Sequence, residues 1–439
     1  MLRAELRELT RLAIPIALTN LGSQLMGLVD TIMLGRYSDA ALAGTGIANG
    51  VILMVQVVGM GAIMGLDTLI PQAVGAGEHG RARRMMWVGV RLALWIGLPL
   101  TLIIAVSPAL YAVFDVERAV AWEGSIYTWC RLPSVLPVLL MTALRMYLQG
   151  VHVTRPLVIA MLAGNAINVA LNVPLIFGVP AIGLPALGSA GAAISSVAVA
   201  IGMAAMLAFA VRAIPVAPSD EDERPLMKRT LSLGLPVGLQ YGAEVGAFAL
   251  AGVLAGTLGR VPAAGHQVAL MLVSVMFNVA LGLSSAGAVR VGRAIGAGDA
   301  PGTRRAGAAA LLAVGAVMCT SAVLLFSIPG PLARLITNDP EVLAMATSLI
   351  QIAAVFQLSD GAQAVGAGVL RGAGDTRAAF AGNVVGHYGI GIPLAIVLAF
   401  PLGWGVTGLW WGLSAGLTAV AIALWARFFW RARHPIARS

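Results

Sequence analysis

Six ionisable side chains fall inside long apolar runs of this chain and set the chemistry open to it: Asp30, Asp67, Glu244, Asp360, Arg91 and Arg131. An ionisable group at the centre of a hydrocarbon span costs on the order of 3 kcal/mol, so it is kept for function or for pairing. Glu244 lies in the middle of its run and Asp360 beyond the middle of another, which makes both candidate cation-holding carboxylates. Asp30 stands one turn from the end of its run, where a cap or an interfacial pair is the competing reading. Asp67 closes a run beside arginine-rich segments and reads as an edge residue. Arg91 reads as snorkelling to the interface, and Arg131 as a deeper group that pairs with a carboxylate. Asn165, Asn168 and Asn172 share a helix face at i, i+3 and i+7. Asn168 and Asn172 are candidate cleft groups, although buried amides also link helices, at about 0.6 kcal/mol each. Gln267, beside His266, and His387 are further polar candidates for proton relay, with packing as the alternative for the histidines.

Enzyme chemistry finds little support. Gly296–Asp299 and Gly372–Asp375 both read Gly-Ala-Gly-Asp, which matches the GxGD of intramembrane aspartyl proteases. Both copies fall in short arginine-flanked segments, and no Tyr-Asp partner occurs. HExxH, the Walker A pattern and GxSxG are absent, so any transport is not driven by ATP bound to a P-loop of this chain.

The elements that must carry these groups follow from composition. The 439 residues are 59% hydrophobic and 11% charged, against about 25% charged in soluble domains, so the chain is an integral membrane protein. Apolar runs long enough to span a bilayer are expected at roughly 11–34, 42–66, 85–108, 124–149, 157–178, 188–211, 231–256, 263–288, 306–329, 342–370, 379–400 and 405–428. They must be helices, because lipid cannot satisfy an open backbone and the runs exceed barrel-strand length. The fold class is therefore all-α, with twelve transmembrane helices. Met1–Thr10 reads as a short amphipathic lead-in, and Cys130 and Cys319 as packed thiols. The net charge of +9 comes from Lys and Arg set between apolar blocks, a topology signal rather than a nucleic-acid surface.

The chain also repeats itself. Gln72–Arg84, QAVGAGEHGRARR, returns as RAIGAGDAPGTRR at Arg293–Arg305, an offset of 221 that Leu12–Pro15 and Leu233–Pro236 share. Two parallel six-helix modules follow, at 1–211 and 231–439, with a solvated linker at 212–230 around Pro215, Pro218 and Asp220–Glu223. A cleft between the modules is the expected site. The acids break the repeat, since Asp30 falls on Ala251, Glu244 on Ser23 and Asp360 near Leu139. With the N-terminus inside, cytoplasmic segments hold 22 Lys and Arg and external loops only four, which places both termini in the cytoplasm.

These residues carry a resemblance to the multidrug and toxic compound extrusion (MATE) family, closest to its bacterial NorM-type branch. Val29–Gly35 reads VDTIMLG, and Ala264–Ala269 resembles the family's AAHQVA element with Gly265 inserted. Phe356–Asp360, Leu370-Arg371-Gly372 and Asp375-Thr376 resemble its acid and LRG...DT run, and Asn168 and Asn172 fall where relatives carry Asn and then Asn or Asp. Some relatives place an Asp at the second of these positions, and the neutral Asn172 weakens a proton mechanism based on Asp30.

The resemblance implies a secondary antiporter of the bacterial inner membrane that expels amphiphilic, mostly cationic compounds in exchange for Na⁺ or H⁺. It implies no other cofactor and a lipid-embedded monomer. Glu244, Asp360 and Asp30 would hold or couple the cation, with Na⁺ at Glu244 and Asp360. A flippase for lipid-linked sugars is the alternative, disfavoured because Arg131 is the deep cation in the runs. An intramembrane protease is a remoter one.

Overall fold

The structure, a computed structural model, describes residues 2–217 and 221–439. Pro218 and Asp220 of the expected linker therefore lie outside the described residues. Among the described residues, twelve helical segments are long and apolar enough to cross a membrane. They are α1 (Leu2–Tyr37), α2 (Asp39–Gly75), α3 (His79–Val113), α4 (Arg118–Gly150), α5 (Arg155–Phe177) and α6 (Ser189–Arg212). The second six are α7 (Glu223–Thr257), α8 (Arg260–Gly296), α9 (Ala300–Ser327), α10 (Pro340–Gly372), α11 (Thr376–Ala399) and α12 (Gly405–Arg431). Most run past the apolar stretch that announces them, and side chains cap the starts of α2, α9 and α10. Ser38 accepts from the Ala41 N–H before α2, and Asp339 from those of Glu341 and Val342 before α10.

Two segments are not plain α-helix in mid-course. In α4 a 3₁₀ turn occupies Leu132–Ser134, where Pro133 has no N–H to give the preceding turn; the Trp129 carbonyl accepts from the Leu132 N–H, and Ser134 Oγ donates to the Arg131 carbonyl at 2.8 Å. In α11, Val385–Gly391 winds as a π-helix, a wide turn that often accompanies functional sites.

The repeated Gly-Ala-Gly, expected as a loop, is a helix-ending device. Three of its four copies end α2, α8 and α10, with the second glycine left-handed at φ 79°, 71° and 72° for Gly77, Gly298 and Gly374, while the copy at Gly366–Gly368 lies inside α10. The first glycine permits close packing: a Cβ on Gly75 would strike the Arg293 carbonyl, and one on Gly296 the Gln72 carbonyl. The acids that follow are structural. Asp299 accepts from the Gly302 N–H at 2.8 Å, while Asp375 pairs with Arg427 at 2.9 Å and Arg431 at 3.0 Å. This leaves no protease dyad in the two GAGD runs.

Contacts divide the chain into two compact units, one of Leu18–Leu66 with Glu78–Gly238, the other of Met1–Ala17, Asp67–Gly77 and Leu239–Ser439. We call them unit A and unit B. Helices α1 and α7 belong to both and change unit after Ala17 and Gly238, again 221 residues apart. Unit B packs small residues of α8, α9 and α10 against Leu9, Leu12 and Ile16 of α1. Large apolar side chains face outward, Trp95 at 76% exposure and Phe209 at 76%, as suits a lipid surroundings.

One expectation is extended and one corrected. The lead-in is the first part of α1, which is helical from Leu2; Leu9 is fully buried, and Glu5 accepts two bonds from Arg290 at 2.7 and 2.9 Å. The linker is not solvated throughout. Glu223 opens α7 with its side chain 8% exposed, paired with Arg84 at 3.0 Å and with Arg91, while Glu221 holds Arg81 at 2.9 Å. Arg91 thus ends on a carboxylate rather than at a free interface, since burying Glu223 requires a counter-charge.

Candidate functional site

In unit A, α1 supplies Asp30 and α5 supplies Asn168 and Asn172, one turn apart and both fully buried. Their Nδ2 groups donate to Asp30 Oδ1 at 3.1 and 2.6 Å. Asn172 Nδ2 also reaches Asn168 Oδ1 at 3.2 Å, and Ser196 Oγ approaches Asp30 Oδ2 at 3.5 Å. The Asp30 carboxylate is therefore provided with donors by the face that i, i+4 spacing creates. The third amide, Asn165, turns aside and donates to the carbonyls of Gly22 and Met161.

Unit A also holds a cavity of about 460 Å³ whose lining includes Asp30, Thr45, Asn49, Tyr127, Arg131 and Arg145. The carboxylate partner expected for Arg131 is not there at ion-pair distance: among the described residues Arg131 joins none of the ion pairs. Its Nη1 donates to the Tyr127 hydroxyl, and its guanidinium lies 5.3 Å from the centre of that ring. Arg145, which falls inside the span expected at 124–149, lines the same cavity and donates to Asn20 Oδ1 at 2.8 Å. Arg131 is thus not alone, which removes the ground given for disfavouring a flippase for lipid-linked sugars.

In unit B, Glu244 on α7 and Asp360 on α10 are 5% and 3% exposed and within electrostatic reach of each other. Gln363, one turn along α10, and Asn383 on α11 face the Glu244 carboxylate and are fully buried. Neither amide makes a hydrogen bond of ordinary geometry, and Asp360 Oδ1 and His387 Nε2 also lack one among the described residues. A buried polar atom without a partner costs about 1–3 kcal/mol, and here several converge. His387, at the π-helical turn, places Nδ1 3.0 Å from the Asn383 carbonyl. Its ring meets Phe248 edge-on at 6.2 Å, Phe248 meets Phe356 at 6.0 Å, and Phe356 meets Trp410 at 5.2 Å. An aromatic wall therefore stands beside the acids. His266 joins its far end, 5.7 Å from Trp410, whereas the adjacent Gln267 is exposed and is not among the groups facing Glu244.

Asp67 is not an edge residue. Its side chain is 0% exposed, and Arg371 Nε donates to it at 2.9 Å; Arg371, assigned to a cytoplasmic loop, is 3% exposed. Thr68 Oγ1 donates to the Arg371 carbonyl at 2.6 Å and Gln72 Nε2 to the Gly372 carbonyl at 3.1 Å. These contacts fasten the Asp67–Gly77 stretch to the end of α10 within unit B. Sequence reasoning also missed Gln363 and Asn383. Their signal was the one-turn spacing from Asp360 and from His387.

Comparison with known proteins fits this arrangement. The MatE family model matches residues 15–173 and 236–397, two stretches whose starts lie 221 apart. The chain is 34% identical over 434 residues to the multidrug resistance protein NorM of Burkholderia vietnamiensis, covering 96% of this chain and 93% of that one. It is 32% identical over 446 residues to the multidrug resistance protein MdtK of Pectobacterium atrosepticum, covering 99% and 97%. Its fold is similar to that of the eukaryotic MATE transporter AtDTX14, with TM-score 0.87, 22% identity, and 98% and 99% of the two chains covered. A chain with twelve candidate membrane spans that matches the family model in both halves belongs to the MatE family of membrane transporters.

Proposed function

We propose that the protein is a secondary active multidrug efflux antiporter that expels amphiphilic, mostly cationic compounds in exchange for Na⁺ or H⁺. The observation that carries the reading is the buried group of Glu244, Asp360, Gln363 and Asn383, oxygen-rich and short of hydrogen-bond partners. Two carboxylates with amide carbonyls suit a hard monovalent cation or a proton, and the Phe248–Phe356 wall suits the apolar part of a cationic amphiphile. A drug cation and an entering ion compete for the same charges, and this competition couples their fluxes. Each elementary charge that enters down 100 mV supplies about 2.3 kcal/mol. The family membership and the NorM and MdtK names of the relatives support efflux as the direction. We place the chain in the bacterial inner membrane with both termini cytoplasmic, on the distribution of Lys and Arg. Ethidium efflux from expressing cells, with and without an imposed Na⁺ gradient at fixed pH and an imposed pH gradient without Na⁺, tests the proposal. Efflux indifferent to both gradients would refute it.

A further inference from the structure

A surface groove of about 400 Å³ lies between α5 and α6 of unit A, lined by Pro156 and Ile159 on the first helix and by Ala205, Met206 and Phe209 on the second. Ile159 and Phe209 are exposed, and on a membrane-spanning helix pair such side chains meet hydrocarbon. The chemistry changes at one end of the groove. The chain returns directly from the end of α5 to the start of α6, where Leu187 and Gly188 N–H donate to the Leu175 and Ile176 carbonyls, so the two helices are antiparallel. Arg155 opens α5 and Arg212 closes α6, which puts both guanidinium groups at the same end of the pair. Helix phase puts them on the groove side: Ile159 is one turn from Arg155, and Ala205, Phe209 and Arg212 follow at i, i+4 and i+7. Both arginines are exposed, and among the described residues neither joins an ion pair. The charges nearby answer one another: Glu221 holds Arg81, and Glu223 holds Arg84 and Arg91. The open carbonyls that end α6 do not occupy Arg212 either, because Arg83 donates to those of Val211 and Ile214 at 3.0 and 2.7 Å. The larger groove of unit B, about 630 Å³ with Met276, Thr320 and Leu324 in its wall, has no charged residue in its lining.

We propose that the α5–α6 groove is a binding site for an anionic phospholipid, with an acyl chain along Ile159, Met206 and Phe209 and the headgroup phosphate at Arg155 and Arg212. Arginine suits the second task because its fork of N–H donors matches phosphate oxygens. With the termini oriented as proposed above, the lipid belongs to the cytoplasmic leaflet. The site stands apart from the Glu244–Asp360 group and from Asp30, and binding there depends neither on what is exported nor on the coupling ion.

Phosphatidylglycerol and phosphatidylcholine with identical acyl chains make a matched pair, and native mass spectrometry of the full chain purified in detergent reads how much of each it retains. The wild type is expected to prefer phosphatidylglycerol. Arg155→Gln and Arg212→Gln should each lower that preference about fivefold, and the double variant should lower it further. Replacing both by Lys keeps the charge and the topology signal and should retain most of the preference, so a role in insertion alone would not produce this pattern. Phe209→Ala should weaken both lipids several-fold and leave their ratio unchanged. Glycerol 3-phosphate at the same concentration, which carries the phosphate without the chains, should not displace phosphatidylglycerol. The substituted side chains are exposed, and the single variants with Phe209→Ala keep the test open if the double variant does not accumulate. The inference is overturned if the wild type retains the two lipids equally, or if the ratio stays fixed in the Gln variants. Displacement by glycerol 3-phosphate would overturn it in favour of a soluble phosphate, and retention indifferent to Phe209→Ala would overturn it in favour of diffuse surface charge.

Discussion

The surroundings of Asp30 and of Glu244 solve one problem, a carboxylate in an apolar helix bundle, in opposite ways. Asp30 is a single acid with donors supplied to it: Asn168 and Asn172 at 3.1 and 2.6 Å, from one face of one helix. Glu244 has a second acid, Asp360, within reach, and the amides that face it, Gln363 and Asn383, make no ordinary hydrogen bond. The first group satisfies its carboxylate and leaves Asn172 Oδ1 without a partner among the described residues. The second has acceptors to spare and gains most from a guest that brings positive charge, because unpaired buried acceptors lose their water without compensation. Unit B also holds a third buried acid, Asp67, whose charge is met by Arg371 at 2.9 Å. Burial of an acid is thus no mark of transport by itself; what matters is whether the protein already answers the charge.

Substitutions can break or sharpen this contrast, and the largest effect is expected where the charge is unanswered. Glu244→Gln or Asp360→Asn keeps side-chain volume but removes cation binding, so gradient-driven dye efflux should fall by about tenfold or more at unchanged membrane abundance. Near-normal coupled efflux in both variants would remove the group from the mechanism. Asp67→Asn should act on stability: it strands the Arg371 charge, at about 3–5 kcal/mol, and should lower the melting temperature in detergent clearly. The double change Asp67→Leu with Arg371→Met should recover most of that loss, and failure to recover would mean that the pair does more than compensate itself.

Asp30→Asn should reduce efflux less than the unit B substitutions, since its neighbours already satisfy the carboxylate and an amide keeps part of that bonding. Should Asp30→Asn alone abolish efflux while Glu244→Gln and Asp360→Asn retain it, the coupling site belongs in unit A. The smallest effect is expected at Asp339, an acid answered by backbone N–H groups and by Arg260. The Val342 N–H, followed by that of Glu341 and the Arg260 charge, holds its carboxyl below the usual 3.8. A group whose folded value is depressed stabilises above its unfolded value, so Asp339→Ala should cost a little stability near neutral pH. The difference from wild type should shrink as the pH falls through 3.8 and below. A gap that persists in acid would mean that the side chain packs rather than caps.

The helices and three of the acids could be read from the chain because hydropathy is a local property. Twelve apolar runs mark the spans, and Asp30, Glu244 and Asp360 interrupt them. Partnership is not local. Asp67 and Arg371 lie 304 positions apart, and each separately looks like an edge charge, so nothing in either neighbourhood reveals the ion pair. Arg145 falls near the end of an expected span, and only the structure shows that it lines a cavity. Gln363 and Asn383 carry no charge to draw attention in a helix, and only the packing of their helices brings them to face Glu244. The Gly-Ala-Gly runs were visible as a repeat, but their use as helix ends depends on a left-handed φ and on close packing that sequence does not display.

The wide turn at Val385–Gly391 has a consequence for length rather than for composition. A π-helical turn stores an extra residue relative to the α-helix around it, so α11 tolerates a change in residue number where most helices tolerate only a change in residue type. Deleting one residue there, for example Tyr388, would let the stretch close into ordinary α-helix. Everything beyond it would keep its faces relative to Asn383, because the wide turn has already absorbed the extra residue. Shortening this one helix by a single amino acid therefore removes the wide turn without reorienting Ile392–Ala399, and the gene can make that change in one step of three nucleotides.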